Sequence, residues 1–153
     1  MKVTIQLDDS LQENEVIIRC RELDDSVTAL QKKISEHDGK LRLSFFKDNT
    51  EFFIGLDQVL FFETSGSVID AHTADDIFQI KLRLYELEDV LPHNFIRVSK
   101  STIINTSKIY SIEKNITSSS LVRFEGSHKQ VYVSRSYYKA FKQRLDENFQ
   151  KGR

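Results

Sequence analysis

From residue 41 to residue 134, the chain is a succession of short apolar runs separated mostly by brief polar turns. The runs are four to seven residues long: 41–46, 51–56, 59–64, 67–73, 77–82, 102–105, 109–114, 121–126 and 130–134. Lys47-Asp48-Asn49-Thr50 and Ser65-Gly66 are typical of hairpin connections. Many short strands with turns between them favour an antiparallel β architecture.

Two segments have helical rather than strand periodicity. In residues 82–91, Leu84, Leu87 and Leu91 fall on one helical face, and Pro92 ends the helix. In residues 135–149, apolar side chains recur every four residues at Tyr137, Phe141, Leu145 and Phe149. The expected fold class is therefore mainly β with flanking helices (α+β).

The first 38 residues differ from the remainder. Alternating residues 3–7 and the run 15–20 predict two strands, and residues 26–36 predict an amphipathic helix that ends near the Asp38-Gly39 turn. We therefore divide the chain into a small β-β-α extension, residues 1–38, and a β domain, residues 39–153. The extension carries a net charge of −4, from five Lys and Arg against nine Asp and Glu. It either mediates dimerisation or docking of a regulatory partner, or completes the core of the β domain.

Charge is distributed unevenly along the chain. Residues 1–93 hold 10 Lys and Arg against 19 Asp and Glu, whereas residues 94–153 hold 12 against 4. A basic segment rich in strand formers favours phosphate-bearing partners, nucleic acid above all. The alternative is that acidic and basic faces of one monomer offset each other.

Other features of the sequence concern its compartment. The single cysteine, Cys20, allows no internal disulfide and fits a reducing environment. No apolar run approaches the ~20 residues that span a bilayer, and the first ten residues lack a signal-peptide core, so we expect a cytoplasmic protein. Cys20 lies in a predicted strand between Arg19 and Arg21, and we expect it to be a buried core residue rather than a reactive thiolate.

Residues 95–112, FIRVSKSTIINTSKIYSI, carry the densest mixture of cations and short polar side chains. Arg97, Lys100 and Lys108 alternate with serines and with Asn105. Arg and Lys neutralise phosphates, and Lys and Asn also hydrogen-bond base edges. Composition alone is equally compatible with a polar loop between two strands.

The order of elements from about Phe45 to Phe149 resembles the LytTR-type DNA-binding domain of bacterial transcription regulators. Four segments carry the resemblance: IGLDQVLFFETSGSVIDAHT, KLRLYELEDVLPHNFIRVSKSTIIN, KIYSIE and VYVSRSYYKAFKQRL. The second is similar to the family's helix with a Leu-Pro stop, followed by Phe-x-Arg, an apolar residue, x, a basic residue and Ser. Many members have His at the position where this chain has Ser99.

The resemblance implies that loops, rather than a recognition helix, enter successive grooves of DNA. It implicates the turn after the first aromatic-Glu strand, the Arg-x-x-basic-Ser loop and the junction between the closing strand and the last helix. Lys108 of the cationic segment 95–112 is added to the residues at these three places. The candidate DNA-binding residues are Ser65, Ser67, Arg97, Ser99, Lys100, Ser101, Lys108, Ser134, Arg135 and Ser136.

A receiver domain is the rival interpretation. Asp8, Asp9, Asp57 and Lys100 mimic its acidic pair, phosphoacceptor and lysine, a set that would bind a divalent metal. A receiver alternates parallel strands with helices, however, and Asp57 runs directly into another apolar strand. We therefore do not expect this site.

Catalytic signatures are weak. The four histidines lie far apart without metal-ligand spacing, and the five glycines form no phosphate loop, so we expect no enzyme activity, no cofactor and no metal. We interpret the chain as a sequence-specific DNA-binding transcription regulator. The alternative is a protein-interaction or ligand-sensing β domain that does not bind DNA. Expected partners are double-stranded DNA, a second copy forming a homodimer on DNA and, by family analogy only, a membrane-embedded inhibitor protein.

Overall fold

The computed structural model describes residues 1–12, 14–37 and 43–151. The chain divides into two compact units, Met1–Asp38 and Gly39–Arg153, which are considered separately below. The turn expected at Asp38-Gly39 and the first two residues of the strand expected at 41–46 lie outside the described residues.

The first unit contains one helix, α1 (Asp25–His37). Asp24 caps it, since its carboxylate accepts from the Val27 backbone N–H at 2.9 Å. The two strands expected at 3–7 and 15–20 are not formed: residues 1–12 and 14–24 carry no strand in the structure. A two-stranded hairpin is at best marginally stable by itself, and most apolar side chains of these two segments are exposed. Cys20 is consequently exposed rather than buried, which corrects that prediction.

The second unit holds ten strands and two α-helices within residues 43–151. The strands are β1 (Phe45–Lys47), β2 (Thr50–Phe52), β3 (Phe61–Ser65), β4 (Val68–His72), β5 (Ile77–Ile80), β6 (Phe95–Arg97), β7 (Thr102–Asn105), β8 (Ile109–Glu113), β9 (Ser120–Phe124) and β10 (Gln130–Val133). The helices are α2 (Leu84–Val90) and α3 (Arg135–Lys151). Single 3₁₀ turns lie at Leu56–Gln58 and Thr106–Lys108. The strand β6 was not anticipated as a separate element.

All pairings within the two sheets are antiparallel. The larger sheet has the order β2-β1-β5-β4-β3-β7-β6, and the smaller has the order β10-β9-β8. The predicted class, mainly β with flanking helices, is confirmed. This topology also excludes a receiver: Asp57 lies in a 3₁₀ turn that leads into an antiparallel strand.

The central strands of the larger sheet are buried on both faces. Neighbouring residues of β3 go to different cores, Phe62 to one and Phe61 to the other, and Ile103 and Ile104 of β7 do the same. A strand covered on both sides needs apolar residues at consecutive positions, which explains the continuous run VLFF at 59–62.

Each core is completed by one helix. Leu84 and Leu87 of α2 belong to the first core, and Phe141 of α3 joins the second core with residues of the smaller sheet. The expected apolar stripe of α3 is correct at Phe141 and Leu145, whereas Phe149 is exposed. Tyr138 packs against the second core because a helix advances 100° per residue and a four-residue step drifts off the buried face.

Candidate nucleic-acid interface

The strand register brings three of the predicted segments to one edge of the larger sheet. Strands β3 and β4 meet at the turn 65–68, and Thr64 N donates to Ser101 O at 2.9 Å, which joins this turn to the loop 98–101. Ser134 N donates to Val98 O at 2.9 Å, which adds the junction 134–136. We call these three segments, 65–68, 98–101 and 134–136, the loop edge.

The first segment is a tight hairpin turn. Ser65 pairs with Val68, and the two central residues are Gly66 and Ser67. Gly66 has a φ of 61°, the left-handed conformation that glycine adopts without steric cost. Both Ser65 and Ser67 are exposed, so the turn presents two hydroxyl groups to solvent.

Arg97 fixes the conformation of the second segment through hydrogen bonds to its backbone. Its Nε donates to Ser99 O at 3.0 Å, and its Nη2 donates to Lys100 O. Its Nη1 donates to the Glu88 carboxylate of α2 at 2.7 Å, and a quarter of its side chain remains exposed. All three kinds of guanidinium nitrogen are therefore engaged within the protein, and only an arginine fork matches this set of acceptors.

In the loop that Arg97 supports, Val98 is buried in the second core, Ser99 is half-buried, and Lys100 and Ser101 are exposed. The Ser99 hydroxyl accepts from Ser101 N at 3.2 Å and lies 3.3 Å from the Ser101 hydroxyl. Lys100 is exposed, and its ammonium group has no hydrogen-bond or ion-pair partner among the described residues. The loop thus presents one unpaired cation beside two hydroxyl groups.

The third segment leads from the smaller sheet into α3. The Ser134 and Ser136 hydroxyls lie 3.0 Å apart, and Arg135 between them is exposed. Lys139 is also exposed and follows Arg135 by four residues, which places both cations on one face of the helix. Further along α3, Lys142 pairs with Asp146 at 2.8 Å.

Lys108 is not brought together with the other candidates. It precedes β8, whose first residue pairs with Phe124, and its carbonyl accepts from Glu125 N at 2.9 Å. Val133, which leads into the junction 134–136, pairs with Ser120 at the other end of β9. Lys108 and Arg135 therefore lie at opposite ends of the smaller sheet.

Asn105, which composition alone left open as a base-reading side chain, is fully buried. Its Nδ2 donates to Val59 O at 2.9 Å, while its Oδ1 accepts from Asn94 Nδ2 and from the backbone and hydroxyl of Ser107. It joins three chain segments at the end of the larger sheet away from the loop edge, so it has a structural role.

Three further cations lie at the loop edge, and sequence reasoning missed them. Lys81 and Arg83 line an open groove of about 1030 Å³ together with Gly66, Ser67 and Lys100. Lys114 follows β8 at the end of the smaller sheet that leads to Ser134, and its ammonium lies 5.3 Å from the centre of the Tyr138 ring. Lys81 and Arg83 lie in the connection between β5 and α2. Their position at the end of a predicted strand was the sequence signal that could have identified them.

His72, which lies away from the loop edge, has a strongly lowered pKa. Burial first, and then the positive charge of Lys129, lower the pKa of His72 to about 4. The imidazole stacks on Phe61 with 4.2 Å between ring centroids. Its Nε2 is 3.7 Å from a Glu63 oxygen, and at neutral pH this contact is not an ion pair because the ring is uncharged.

The described residues lack a metal-binding cluster and a membrane-spanning helix. They contain no group of three or more His, Cys, Asp or Glu side chains placed to hold a metal ion. None of their helices combines the length and the apolar character needed to cross a membrane.

Comparison with known proteins identifies the family of this chain. The family model described as the LytTr DNA-binding domain matches residues 49–146. Relatives from Staphylococcus aureus strains NCTC 8325 and N315, each named as an uncharacterized HTH-type transcriptional regulator, are 32% identical over 95% of this chain and 98% of theirs. In this chain, consecutive described helices are separated by five strands, so the described residues form no helix-turn-helix.

A solved structure has the same fold. It is the LytTr DNA-binding domain of a methyl-accepting/DNA response regulator from Bacillus cereus, with a TM-score of 0.63 and 24% identity over 68% of this chain and 95% of that one. The family model covers well over half of the chain. The chain therefore belongs to the LytTr DNA-binding domain family and is a DNA-binding transcription regulator.

Proposed function

We propose that the loop edge is the surface that binds duplex DNA and reads its sequence. The observation that carries this proposal is the pair of backbone hydrogen bonds, Thr64 to Ser101 and Ser134 to Val98, that joins three exposed loops at one edge. Unpaired cations there, rather than a helix, would enter the grooves. Binding involves no reaction, no cofactor and no metal in this proposal.

Roles within the loop edge follow from reach and from existing partners. Lys100 and Arg135 are long and exposed, so they can donate to guanine O6 and N7 in the major groove. The serine hydroxyls at 65, 67, 99, 101, 134 and 136 can contact phosphates or either base edge. Arg97 already donates to two loop carbonyls, so we assign it to holding the loop rather than to contacting DNA.

The spacing of the loops suits a duplex. The turn 65–68 and the loop 98–101 are separated by two strand spacings, about 10 Å, which is close to the ~12 Å width of a major groove. Lys81, Arg83 and Lys114 lie beside them and would neutralise flanking phosphates. The turn and the loop therefore lie close enough together to enter one major groove.

The first experiment measures salt dependence. A duplex selected from a random pool for tight binding is titrated with the full chain by fluorescence anisotropy, at salt concentrations from low to physiological. Each phosphate neutralised steepens the log-log slope by about 0.9, so several contacts predict a clearly negative slope. An affinity that stays constant across this range would contradict DNA binding at a cationic surface.

The second experiment separates base contacts from phosphate contacts. Lys100→Ala and Arg135→Ala should each cost about 1–3 kcal/mol on the selected duplex and relax discrimination at one base position. Lys108→Ala is the matched loop control, because Lys108 lies at the opposite end of the smaller sheet. Lys142→Ala is the helix control, because Lys142 is paired with Asp146. Unchanged affinity and specificity in both loop-edge variants would show that the site assignment is wrong.

We further propose that the protein acts in the cytoplasm as a homodimer on two half-sites. Two-fold symmetry in the protein matches two-fold symmetry in the DNA site. By family analogy alone, a membrane-embedded protein would restrain it. Co-expression with a membrane protein encoded beside it should lower reporter activity from the selected duplex, and unchanged reporter activity would count against this partner.

A further inference from the structure

Within the first unit, residues 2–8, which we call the first extended segment, form few backbone hydrogen bonds and leave their apolar side chains exposed. Val3, Ile5 and Leu7 are 84%, 85% and 94% exposed. In residues 1–12, as the structure describes them, one backbone hydrogen bond is formed, from Leu11 N to Asp8 O. The segment thus presents free N–H and C=O groups together with an apolar stripe.

These two properties together mark a site of strand pairing. An extended segment with free backbone groups is a template for another strand. Several exposed apolar side chains close together in the sequence mark an interaction surface rather than a solvated loop. The alternation of Val3, Ile5 and Leu7 with polar residues also means that one pairing register would place all three on the same face.

We propose that the first extended segment pairs antiparallel with the same segment of a second copy, about a two-fold axis through Ile5. In this register Ile5 lies opposite the partner's Ile5, and Val3 lies opposite the partner's Leu7. Lys2 lies opposite the partner's Asp8, and the symmetry repeats this contact. The inference rests on the proposed function in one respect: the dimer would join two DNA-binding units on one DNA site.

The charges and the apolar pattern select this register. A parallel pairing in register would set Lys2 beside the partner's Lys2 and Asp8 beside the partner's Asp8, and like charges across a sheet are unfavourable. A shift of one residue would oppose apolar side chains with polar ones, because side chains alternate between faces. Of the antiparallel registers that align the apolar side chains with each other, the one centred on Ile5 sets Lys2 opposite Asp8.

Cysteine cross-linking of the full chain tests the register directly. In a Cys20→Ser background, Ile5→Cys should form a disulfide-linked dimer on mild oxidation. Directly opposed residues lie about 4.5–5.5 Å apart between Cα atoms, within the span of a disulfide. Val3→Cys alone should not cross-link, since the two copies of position 3 would be about 13 Å apart along the strands. Leu7→Cys alone should behave likewise, whereas a mixture of the Val3→Cys and Leu7→Cys proteins should cross-link.

Charge reversal provides an independent measurement by sedimentation. Lys2→Glu should weaken the dimer about tenfold, because it sets like charges opposite each other twice. The double variant Lys2→Glu with Asp8→Lys should restore the wild-type dissociation constant. Restoration would not occur if either substitution acted by general loss of solubility or fold.

Three results would overturn the inference. They are a wild-type chain that stays monomeric over the whole concentration range, an Ile5→Cys chain that does not cross-link where the wild type is dimeric, and equal cross-linking at positions 3, 5 and 7. Binding of the Lys2→Glu chain to a single half-site, with the wild-type salt slope, keeps this test separate from the proposed DNA-binding function. If the wild-type chain also fails to bind a single half-site, the proposed DNA-binding function is wrong, and the dimer is then tested by the cross-linking alone.

Discussion

Arg97→Lys tests whether this arginine shapes the loop or touches DNA. Lysine keeps the positive charge but loses the fork, so it cannot donate at once to Ser99 O, to Lys100 O and to Glu88. Both roles predict weaker DNA binding for Arg97→Ala. For Arg97→Lys, a role in shaping the loop predicts weaker binding, whereas a phosphate contact predicts affinity close to that of the wild type.

The magnitude follows from the contacts that are lost. Hydrogen bonds from a charged group contribute about 1.5–3 kcal/mol each when well buried. The Arg97 side chain is 25% exposed, and its ion pair with the more exposed Glu88 contributes at most about 1 kcal/mol. If lysine retains one contact, the ordered loop loses about 2 kcal/mol, which lowers affinity for the selected duplex up to about 30-fold.

Fluorescence anisotropy across a salt series distinguishes the two roles. If Arg97 holds the loop, Arg97→Lys should lose much of the affinity for the selected duplex that Arg97→Ala loses, with the salt slope unchanged in both. Glu88→Gln, which leaves both carbonyl contacts in place, should lose much less. Wild-type affinity for Arg97→Lys, together with a slope about 0.9 shallower for Arg97→Ala, would refute this reasoning and place Arg97 on a phosphate.

Three further predictions concern stability, measured by urea unfolding. Because the pKa of His72 is lowered to about 4 in the folded state, the unfolded chain protonates first, so His72 should make stability fall as pH drops from about 6.5 towards 4. His72→Gln should remove this part of the pH dependence between pH 6.5 and 5, whereas the exposed-site control His128→Gln should keep it. Asn105→Ala should cost about 2–4 kcal/mol, because it leaves Val59 O and the donors of two neighbours without a partner, and Asn115→Ala in an exposed loop should cost under about 1 kcal/mol. Gly66→Ala should cost about 1–2 kcal/mol, since it forces a φ of 61° on a residue with a Cβ.

The sequence alone was sufficient for the fold class and for most elements. Alternation between apolar and polar residues and the short turns indicate where most strands lie, because side-chain period and turn chemistry are local properties. The predicted runs 41–46 and 51–56 coincide only in part with β1 and β2. The helix ending before Pro92 and the closing helix follow from the same kind of local signal. The resemblance to the LytTR family rested on these ordered segments, and the family match confirmed it.

The tertiary structure decided which residues share a surface. Strand β3 pairs with β7, about 40 positions later, and this contact brings the turn 65–68 to the loop 98–101. Nothing local in the sequence encodes such a pairing, so Lys81, Arg83 and Lys114 were missed and Lys108 was grouped with side chains at the opposite end. The same holds for Asn105. In the sequence its polar side chain was compatible with a DNA contact, but in the fold it is buried among three chain segments. The first extended segment shows the converse: its alternating pattern predicts a strand, but a strand also needs a partner, and the described residues of its own unit form none.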